Sequence, residues 1–271
     1  MEPSIGVFDS GFGGLDILRG ITEALPGYNY LYLGDTARTP YGTRSKELVY
    51  DFTRQAMDFL FEHNCQLVII ACNTASSGAL RKIQQEYLPA RYPDRNALGV
   101  LIPAAEEAVA RTKNKKIGVM ATPGTVLSNA FVREIKKLDA DAQVIQQACP
   151  LLVPLVESGE HTSKAAQLIL SSYLEPLLKE HVDTIVLGCT HYGILEPQIR
   201  SIIGPEISIV SESRAVPPKL KSYLERHPEI EKRIGTSGIL SFYSTDLTPS
   251  FNELGSKFFG KPISALKAEL R

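Results

Sequence analysis

The chain has 271 residues, of which 44% are hydrophobic and 22% are charged, and its formal net charge is −1. This length is sufficient for one large or two ordinary domains, and the composition is that of a soluble globular protein. The near-zero net charge argues against nucleic acid or a membrane surface as the main partner, and no apolar stretch approaches the roughly 20 residues that a membrane-spanning helix requires.

Short apolar runs alternate with longer segments of helical periodicity along the chain. The pattern predicts strands at Ser4–Phe8, Asn29–Leu33, Leu67–Ala71, Leu98–Leu101, Lys116–Ala121, Gln143–Ala148, Thr184–Gly188, Ile207–Val210 and Leu240–Tyr243. It predicts helices at Leu15–Leu25, Ser45–His63, Thr74–Tyr87, Pro103–Arg111, Thr125–Leu138, Ser163–Glu180, Leu195–Ile203 and Pro218–Arg226. Continuously apolar strands linked by helices are typical of parallel sheets that are covered on both faces. We therefore predict an α/β fold.

The two halves of the chain resemble each other. SIGVFDSGFGG opens the first half and KIGVMATPGT opens the second, with Gly6 and Gly118 in equivalent places 112 positions apart. Cys72 and Cys189 lie 117 positions apart, so one offset with a short insertion relates both pairs. The repetition predicts two similar open parallel-sheet domains, related by a pseudo-two-fold axis, that face each other across a cleft.

Two cysteines at the ends of predicted strands are the strongest candidate functional residues. In VIIACNTAS and IVLGCTHYG, an apolar run ends in a small residue, then Cys72 or Cys189, then a polar pair. Open α/β folds bind ligands at this carboxyl edge of the sheet, where a following helix N-terminus also stabilises a thiolate. Two such thiols, one from each half, suggest two bases on opposite sides of one substrate, which is the arrangement that a racemase requires.

The polar pairs after these cysteines are candidates for binding a carboxylate. Asn73-Thr74 and Thr190-His191 supply hydroxyl and amide groups next to the thiols, and His191 can also act as an acid or shift a thiol pKa. Glu157 lies in an otherwise apolar stretch and is either a surface group at a helix end or a buried partner of His191.

Two turn-rich segments follow the first two predicted strands. In DSGFGG, Ser10 and the backbone amides can hold a carboxylate, and Asp9 can hold an ammonium group or assist proton transfer. The segment lacks the third glycine of a dinucleotide fingerprint and the Lys-Ser/Thr pair of a Walker A loop, and a tight turn without a ligand is the alternative. GDTARTPYG, held by Pro40 and Gly42, can present Tyr41 at the same sheet edge.

The other cysteines indicate a structural role and a reducing compartment. Cys65 precedes its strand, and Cys149 is followed by Pro150, which has no amide to donate. Four widely spaced cysteines, without an export signal in MEPSIGVFDSG, predict reduced thiols and a cytoplasmic location. Zinc is a weaker alternative, because the spacing of Cys189 and His191 matches neither a C-x-x-C nor an H-E-x-x-H site.

DSGFGG, GDTARTPYG, ACNTA, CPLLVPLVESG and GCTHYG occur in the order and spacing found in glutamate racemases of the aspartate/glutamate racemase superfamily. The chain resembles this family from about residue 4 to residue 259. The resemblance implies cofactor-independent and metal-independent interconversion of L- and D-glutamate, the supply of D-glutamate for peptidoglycan, and a homodimer as one assembly state. It also implies a discontinuous first domain, residues 1–98 plus 209–271, with residues 99–208 as the second domain and the active site between them.

The resemblance assigns roles residue by residue. It implies that Cys72 and Cys189 are the acid/base thiols, assisted by Asp9, His191 and Glu157. It implies substrate contacts from Asp9, Ser10, Pro40, Tyr41, Gly42, Asn73, Thr74, Thr125, Thr190 and His191. Many family members carry an Asp-Ser-Gly-like turn where this chain has Ser211-Glu212-Ser213. Because this turn lies outside the thiol-bearing segments, we expect it to change local details and not the reaction.

Two other kinds of function fit the same residues. An aspartate or hydantoin racemase, a maleate isomerase or an arylmalonate decarboxylase would share all or part of the paired-cysteine scaffold, but not GDTARTPYG in this form. A non-catalytic binding protein would use two α/β lobes to close on a dicarboxylate. No lysine lies in a motif that suggests a pyridoxal Schiff base, and no basic extension supports a regulatory role at a DNA-modifying enzyme.

Overall fold

The computed structural model describes residues 1–271, except for the side chains of Pro249 and Ser250. Its strands are β1 (Ser4–Asp9), β2 (Tyr30–Gly34), β3 (Cys65–Ile70), β4 (Asn96–Gly99), β5 (Lys116–Ala121), β6 (Gln143–Ala148), β7 (Thr184–Gly188), β8 (Ser208–Val210), β9 (Leu240–Ser244) and β10 (Ala265–Lys267). Its α-helices are α1 (Gly14–Ala24), α2 (Lys46–Glu62), α3 (Asn73–Gly78), α4 (Leu80–Lys82), α5 (Leu88–Arg91), α6 (Leu101–Arg111), α7 (Pro123–Ser128), α8 (Ala130–Leu138), α9 (Leu152–Glu157), α10 (Lys164–Lys179), α11 (Glu196–Ile203), α12 (Glu212–Arg226), α13 (Pro228–Glu231) and α14 (Pro249–Phe259). No helix among the described residues has the length and apolar character needed to cross a membrane.

The strands form two parallel sheets with the same internal order. The first sheet runs β10-β9-β2-β1-β3-β4 and the second runs β6-β5-β7-β8. In each, the first strand of the half is central, the second lies on one side of it and the third on the other. Between β1 and β3, and between β5 and β7, the strand order therefore reverses, which is where open α/β sheets bind ligands. The predicted pair of similar parallel-sheet α/β units is confirmed.

The strand register relates the two halves residue by residue. Gly6 of β1 pairs with Val68 of β3, and Gly118 of β5 pairs with Ile185 of β7. Val68 precedes Cys72 by four positions, and Ile185 precedes Cys189 by four positions. The equivalence predicted from the two sequence offsets is therefore also an equivalence in the sheets.

Apolar side chains join the two units. One buried cluster contains Ile5 and Val7 of β1 together with Ile185 and Leu187 of β7. Separate clusters cover the other face of each sheet. Because the shared cluster takes residues from both sheets, burial of apolar surface holds the units together, in addition to the chain connections.

Most predicted elements are confirmed, but several helix predictions are wrong in detail. The predicted helix at Thr74–Tyr87 is broken into α3, α4 and a π-helical turn at Ile83–Tyr87. The predicted helix at Thr125–Leu138 is interrupted at Asn129, whose left-handed φ of 52° ends α7 before α8 begins. Asparagine tolerates this conformation, which apolar periodicity alone does not reveal.

Two other predicted helix or strand boundaries, both close to prolines, are wrong. Leu101 begins α6 and does not end a strand, since Pro103 is tolerated in the first turn of a helix. Helix α12 begins at Glu212 and continues through Pro217, although the sequence predicts a start at Pro218. The carbonyl of Ser213, which Pro217 cannot bond, lies against Gly20 of α1. The helices α5, α9, α13 and α14 and the strand β10 were not predicted.

The C-terminal segment returns to the first sheet. Strand β9 pairs with β2, and Phe251 of α14 contacts Phe12 with ring centroids 5.5 Å apart. The expected domain boundaries at 98/99 and 208/209 fall inside β4 and β8, which belong to the first and second sheets respectively. We therefore propose that the domains divide after Gly99 and after Val210.

Candidate active site

Cys72 and Cys189 line one narrow cavity, of about 20 Å³, between the carboxyl ends of the two sheets. Cys72 follows β3 and Cys189 follows β7, so each thiol comes from the third strand of its half. Their side chains are nearly enclosed, with 5% and 7% exposure. Two thiols from equivalent strands therefore share one enclosed space, as the sequence predicts.

The Cys72 thiol lies beside the DSGFGG turn. Its Sγ donates a hydrogen bond to Ser10 Oγ at 3.4 Å. Burial and, to a smaller extent, the Asp9 carboxylate raise the pKa of the Cys72 thiol to about 12. The Ser10 hydroxyl and the amides of Ala75 and Thr74 favour the thiolate, but they do not offset burial. Cys72 is therefore a neutral thiol in the closed cavity at neutral pH.

Cys189 has a similar electrostatic environment. Burial raises the pKa of its thiol well above the ordinary value, while the backbone amide of His191 opposes the shift. Cys72, Asp9 and Glu212 all lie close enough to raise the Cys189 pKa further. Because each group disfavours a second negative charge nearby, the site strongly resists having both thiols ionised at once.

Asp9 lies behind the cavity at the end of β1. Its Oδ2 accepts the backbone N–H of Gly11 at 3.0 Å, and its Oδ1 accepts the Thr190 hydroxyl at 3.2 Å. Burial raises the pKa of Asp9, although His191 and these hydrogen bonds act in the opposite direction. The Asp9–Thr190 bond connects the turn after β1 to the segment after β7. Asp9 therefore links the two halves next to the thiols.

His191 and Glu157 form a hydrogen-bonded pair at the edge of the cavity. His191 lines the cavity, and its Nε2 lies 3.1 Å from Glu157 Oε1 at the end of α9. Its Nδ1 lies 3.4 Å from the Thr190 hydroxyl. Glu157 was predicted to be either a partner of His191 or a surface group at a helix end. The geometry supports the partner of His191. About a quarter of the Glu157 side chain remains exposed.

The loop between β2 and α2 closes one side of the cavity. Pro40, Tyr41 and Gly42 all line it. The Tyr41 hydroxyl donates to the buried carboxylate of Asp35, which anchors the loop. A Cβ on Gly42 would lie 2.7 Å from Cβ of Thr122, so glycine permits close contact with the second unit.

A chain of hydroxyls crosses between the units on the same side. Thr74 Oγ1 lies 3.0 Å from Thr122 Oγ1, and the latter lies 3.1 Å from Thr125 Oγ1. Thr74 and Thr122 line the cavity, whereas Thr125 is fully buried behind Thr122. A direct substrate contact from Thr125 is therefore not supported by this geometry, and its contact with the site passes through Thr122.

The turn after β8 reaches the site. Asn73 Nδ2 donates a 2.8 Å hydrogen bond to Glu212 Oε2. Asn73 follows Cys72 directly, and Glu212 lies close to Cys189, so the departure at Ser211-Glu212-Ser213 is not remote from the thiols. An acidic residue immediately after a strand at the carboxyl sheet edge was the available sequence signal.

Most of the residues predicted at the site line the cavity. The predicted residues that line the cavity are Ser10, Pro40, Tyr41, Gly42, Cys72, Asn73, Thr74, Cys189, Thr190 and His191. Thr39, Thr122 and Val153 also line it and were not predicted. Cys65 and Cys149 are buried in separate apolar clusters, away from the cavity lining. Among the described residues, no three His, Cys, Asp or Glu side chains are arranged to hold a metal ion.

The whole chain matches one enzyme family. A family model described as Asp/Glu/Hydantoin racemase matches residues 5–212. A glutamate racemase of Syntrophus aciditrophicus is 39% identical over 265 residues, which are 97% of this chain and 95% of that protein. Crystal structures of glutamate racemases from Bacillus anthracis (TM-score 0.90, 32% identity, 99% of this chain and 98% of that chain) and from Francisella tularensis with D-glutamate (TM-score 0.87, 30% identity, 98% and 97%) share the fold. The chain therefore belongs to the glutamate racemases of the Asp/Glu/Hydantoin racemase family.

Proposed function

We propose that this enzyme interconverts L- and D-glutamate by two-base proton transfer between the α-carbon and the thiols of Cys72 and Cys189. The observation that carries the proposal is the shared cavity, which both thiols enter from equivalent strands of opposite sheets. Inversion at a stereocentre requires a proton to leave one face and another to arrive at the opposite face. Paired thiols in one cavity supply that chemistry without a cofactor.

The proton and charge balance follows from the thiol environments. One thiol first releases its proton to solvent water. Its thiolate then takes the α-hydrogen of the substrate as a proton, while the opposite thiol delivers its proton to the far face and is left as the thiolate. Both thiols have raised pKa values in the closed cavity. A substrate ammonium group would bring a positive charge next to them and so favour the thiolate. The reverse reaction exchanges the two roles.

The carbanion-like transition state needs stabilisation at the α-carboxylate. The hydroxyls of Ser10 and Thr74 border the cavity beside the thiols, whereas the Thr190 hydroxyl already donates to Asp9. Preorganised donors of this kind stabilise developing negative charge more strongly in an enclosed site than in water. We infer that they bind the α-carboxylate, and that His191, held by Glu157, assists proton transfer near Cys189.

Substrate and direction are the finer parts of the proposal. Glutamate is supported by the near-full-length similarity to glutamate racemases and by the D-glutamate complex of the Francisella tularensis protein. We infer that Cys72 acts on the D-enantiomer and Cys189 on the L-enantiomer. D-glutamate made in the cytoplasm would then supply peptidoglycan synthesis and so cell shape.

Proton NMR of L-glutamate with the reduced protein in D₂O tests this function. The expected result is loss of the α-proton signal together with decay of optical rotation to zero. An amino-acid panel separates a glutamate racemase from an aspartate or hydantoin racemase. Saturable glutamate binding without deuterium uptake would instead identify a binding protein and would reject the proposal.

A further inference from the structure

Glu212 lies where the chain returns from the second sheet to the first unit. It begins α12 directly after β8, and its side chain is buried, with 3% exposure. Its Oε2 accepts the 2.8 Å hydrogen bond from Asn73 Nδ2. Asn73 is the first residue of α3, next to Cys72. The hydrogen bond therefore fixes a cavity-lining side chain next to Cys72 from a buried carboxyl group at the start of α12.

This contact determines which end of the Asn73 amide is available to a ligand. The nitrogen is held by Glu212, while in the described part of the chain Asn73 Oδ1 is buried without a hydrogen-bond partner. Burying an amide carbonyl without a partner is costly, so such an atom requires an explanation. Since Asn73 lines the cavity that contains both thiols, its free oxygen is placed to accept a hydrogen bond from a substrate.

The role of Glu212 does not require a charge. Burial raises its pKa well above the ordinary range, and Asp9 and Asp16 raise it further, whereas Asn73 opposes the shift. A neutral carboxyl group still accepts a hydrogen bond through its carbonyl oxygen. A neutral Glu212 also avoids adding negative charge beside Cys189, which would disfavour thiolate formation there.

We propose that Glu212 is a positioning residue that orients the Asn73 amide so that its carbonyl oxygen receives the α-ammonium group of the substrate. This inference rests on the proposed function, because it needs an amino-acid substrate in the cavity. It assigns to the Ser211-Glu212-Ser213 turn a role in substrate recognition that the thiols themselves do not provide.

Steady-state kinetics of matched variants tests the proposal. Glu212→Ala should raise KM for glutamate about tenfold with a smaller change in kcat, because an ammonium–amide hydrogen bond is worth about 1.5 kcal/mol. Glu212→Asp, which cannot reach Asn73, should behave in the same way if the alanine variant does not fold. Glu212→Gln keeps a neutral acceptor at the same reach, so its KM should stay within about threefold of the original value. Glu225→Ala, an exposed change on the same helix, is the control.

A double-mutant comparison with Asn73→Ala separates positioning from general stabilisation. If Glu212 acts through Asn73, Glu212→Ala adds no further increase in KM when Asn73 is already alanine. Additive effects, an unchanged KM in both Glu212→Ala and Glu212→Asp, or equal damage by Glu212→Gln would each overturn the proposal. Wild-type protein is assayed first in the same D₂O experiment. Failure of that protein to racemise glutamate would reject the proposed function itself, and the role of Glu212 with it.

Discussion

The thiol of Cys72 must lose its proton before it can act as a base, and its surroundings oppose that step. Its pKa is raised to about 12 by burial and by Asp9. Below the pKa, the fraction of thiolate rises about tenfold for each pH unit. Because kcat/KM reports the ionisation of the free enzyme, we expect kcat/KM for glutamate to rise steadily from pH 7 to pH 8.5. A flat or falling profile over this range, measured by polarimetry, would contradict the assigned thiol state.

The contact between His191 and Glu157 gives a second prediction for individual residues. Glu157→Gln removes the carboxylate from His191 Nε2 but keeps the size of the side chain. A hydrogen bond to a charged group is worth about 1.5–3 kcal/mol, so kcat should fall roughly 10- to 100-fold while the fold is unchanged. Glu160→Gln, an exposed change just beyond the same helix, should leave kcat unchanged. Equal rates for the two variants would remove Glu157 from the mechanism.

Individual site residues differed in how far the sequence revealed them. Cys72 and Cys189 were predictable because each ends an apolar run and repeats in the other half. Glu212 and Thr122 were not predicted, since their importance depends on contacts between segments that are far apart in the sequence. Thr125 carries the same kind of side chain as Thr122, yet lies one hydrogen bond further from the cavity. Sequence patterns predict which residues lie at a sheet edge, but they do not predict which of these residues border the cavity.

The turn before α1 packs closely against the opposite unit. A Cβ on Gly13 would lie 2.4 Å from Thr190 Oγ1 and 2.6 Å from the Thr190 carbonyl carbon. A backbone neighbour cannot rotate away, so Gly13→Ala must displace the segment that follows Cys189. We expect at least a tenfold loss of kcat/KM, because small displacements of positioned groups cost this much or more.

A matched glycine provides the control for this prediction. A Cβ on Gly78, in α3, would meet no atom within 4 Å. Gly78→Ala should therefore keep full activity, and it should raise Tm if helix propensity has its usual effect. Circular dichroism checks that both variants are folded. Full activity in Gly13→Ala would show that the two segments can separate without harm to the site.

The ends of some strands were predicted correctly, whereas the ends of several helices were not. Strands β5, β6 and β7 match the sequence prediction at both ends. Strands β5 and β7 are buried and read as short apolar runs with clear limits, whereas β6 is a partly exposed edge strand. The interruption at Asn129 and the passage of α12 through Pro217 were not predictable in this way. Both depend on local backbone conformation and on packing against a neighbouring helix, which apolar periodicity does not encode.

For the whole molecule, the site between the units affects the pH dependence of stability. Burial raises the pKa of Glu212 above the value of about 4.3 that a glutamate has in an unfolded chain. The folded protein therefore holds a proton that the unfolded chain releases, so this group lowers the free energy of unfolding as pH rises above the unfolded pKa. Glutamine has no such proton to lose.

We therefore expect the free energy of unfolding of Glu212→Gln, minus that of the unmodified protein, to increase between pH 5 and pH 8. Urea unfolding of both proteins at the two pH values measures this difference directly. Glu225→Gln, on the exposed side of α12, should show no comparable pH dependence. A difference that stays constant across the range would mean that the Glu212 pKa is not raised by folding.

The central claim is that both thiols exchange a proton with one α-carbon, and deuterium uptake by single-cysteine variants tests it most directly. In D₂O, Cys72→Ala and Cys189→Ala should each lose interconversion of the enantiomers by about 10²–10⁴-fold, the usual value of a positioned acid or base. Cys189→Ala should still exchange the α-hydrogen of D-glutamate, and Cys72→Ala that of L-glutamate. The buried controls Cys65→Ala and Cys149→Ala should racemise normally if folded. Racemisation at the normal rate by either Cys72→Ala or Cys189→Ala would contradict the two-thiol account.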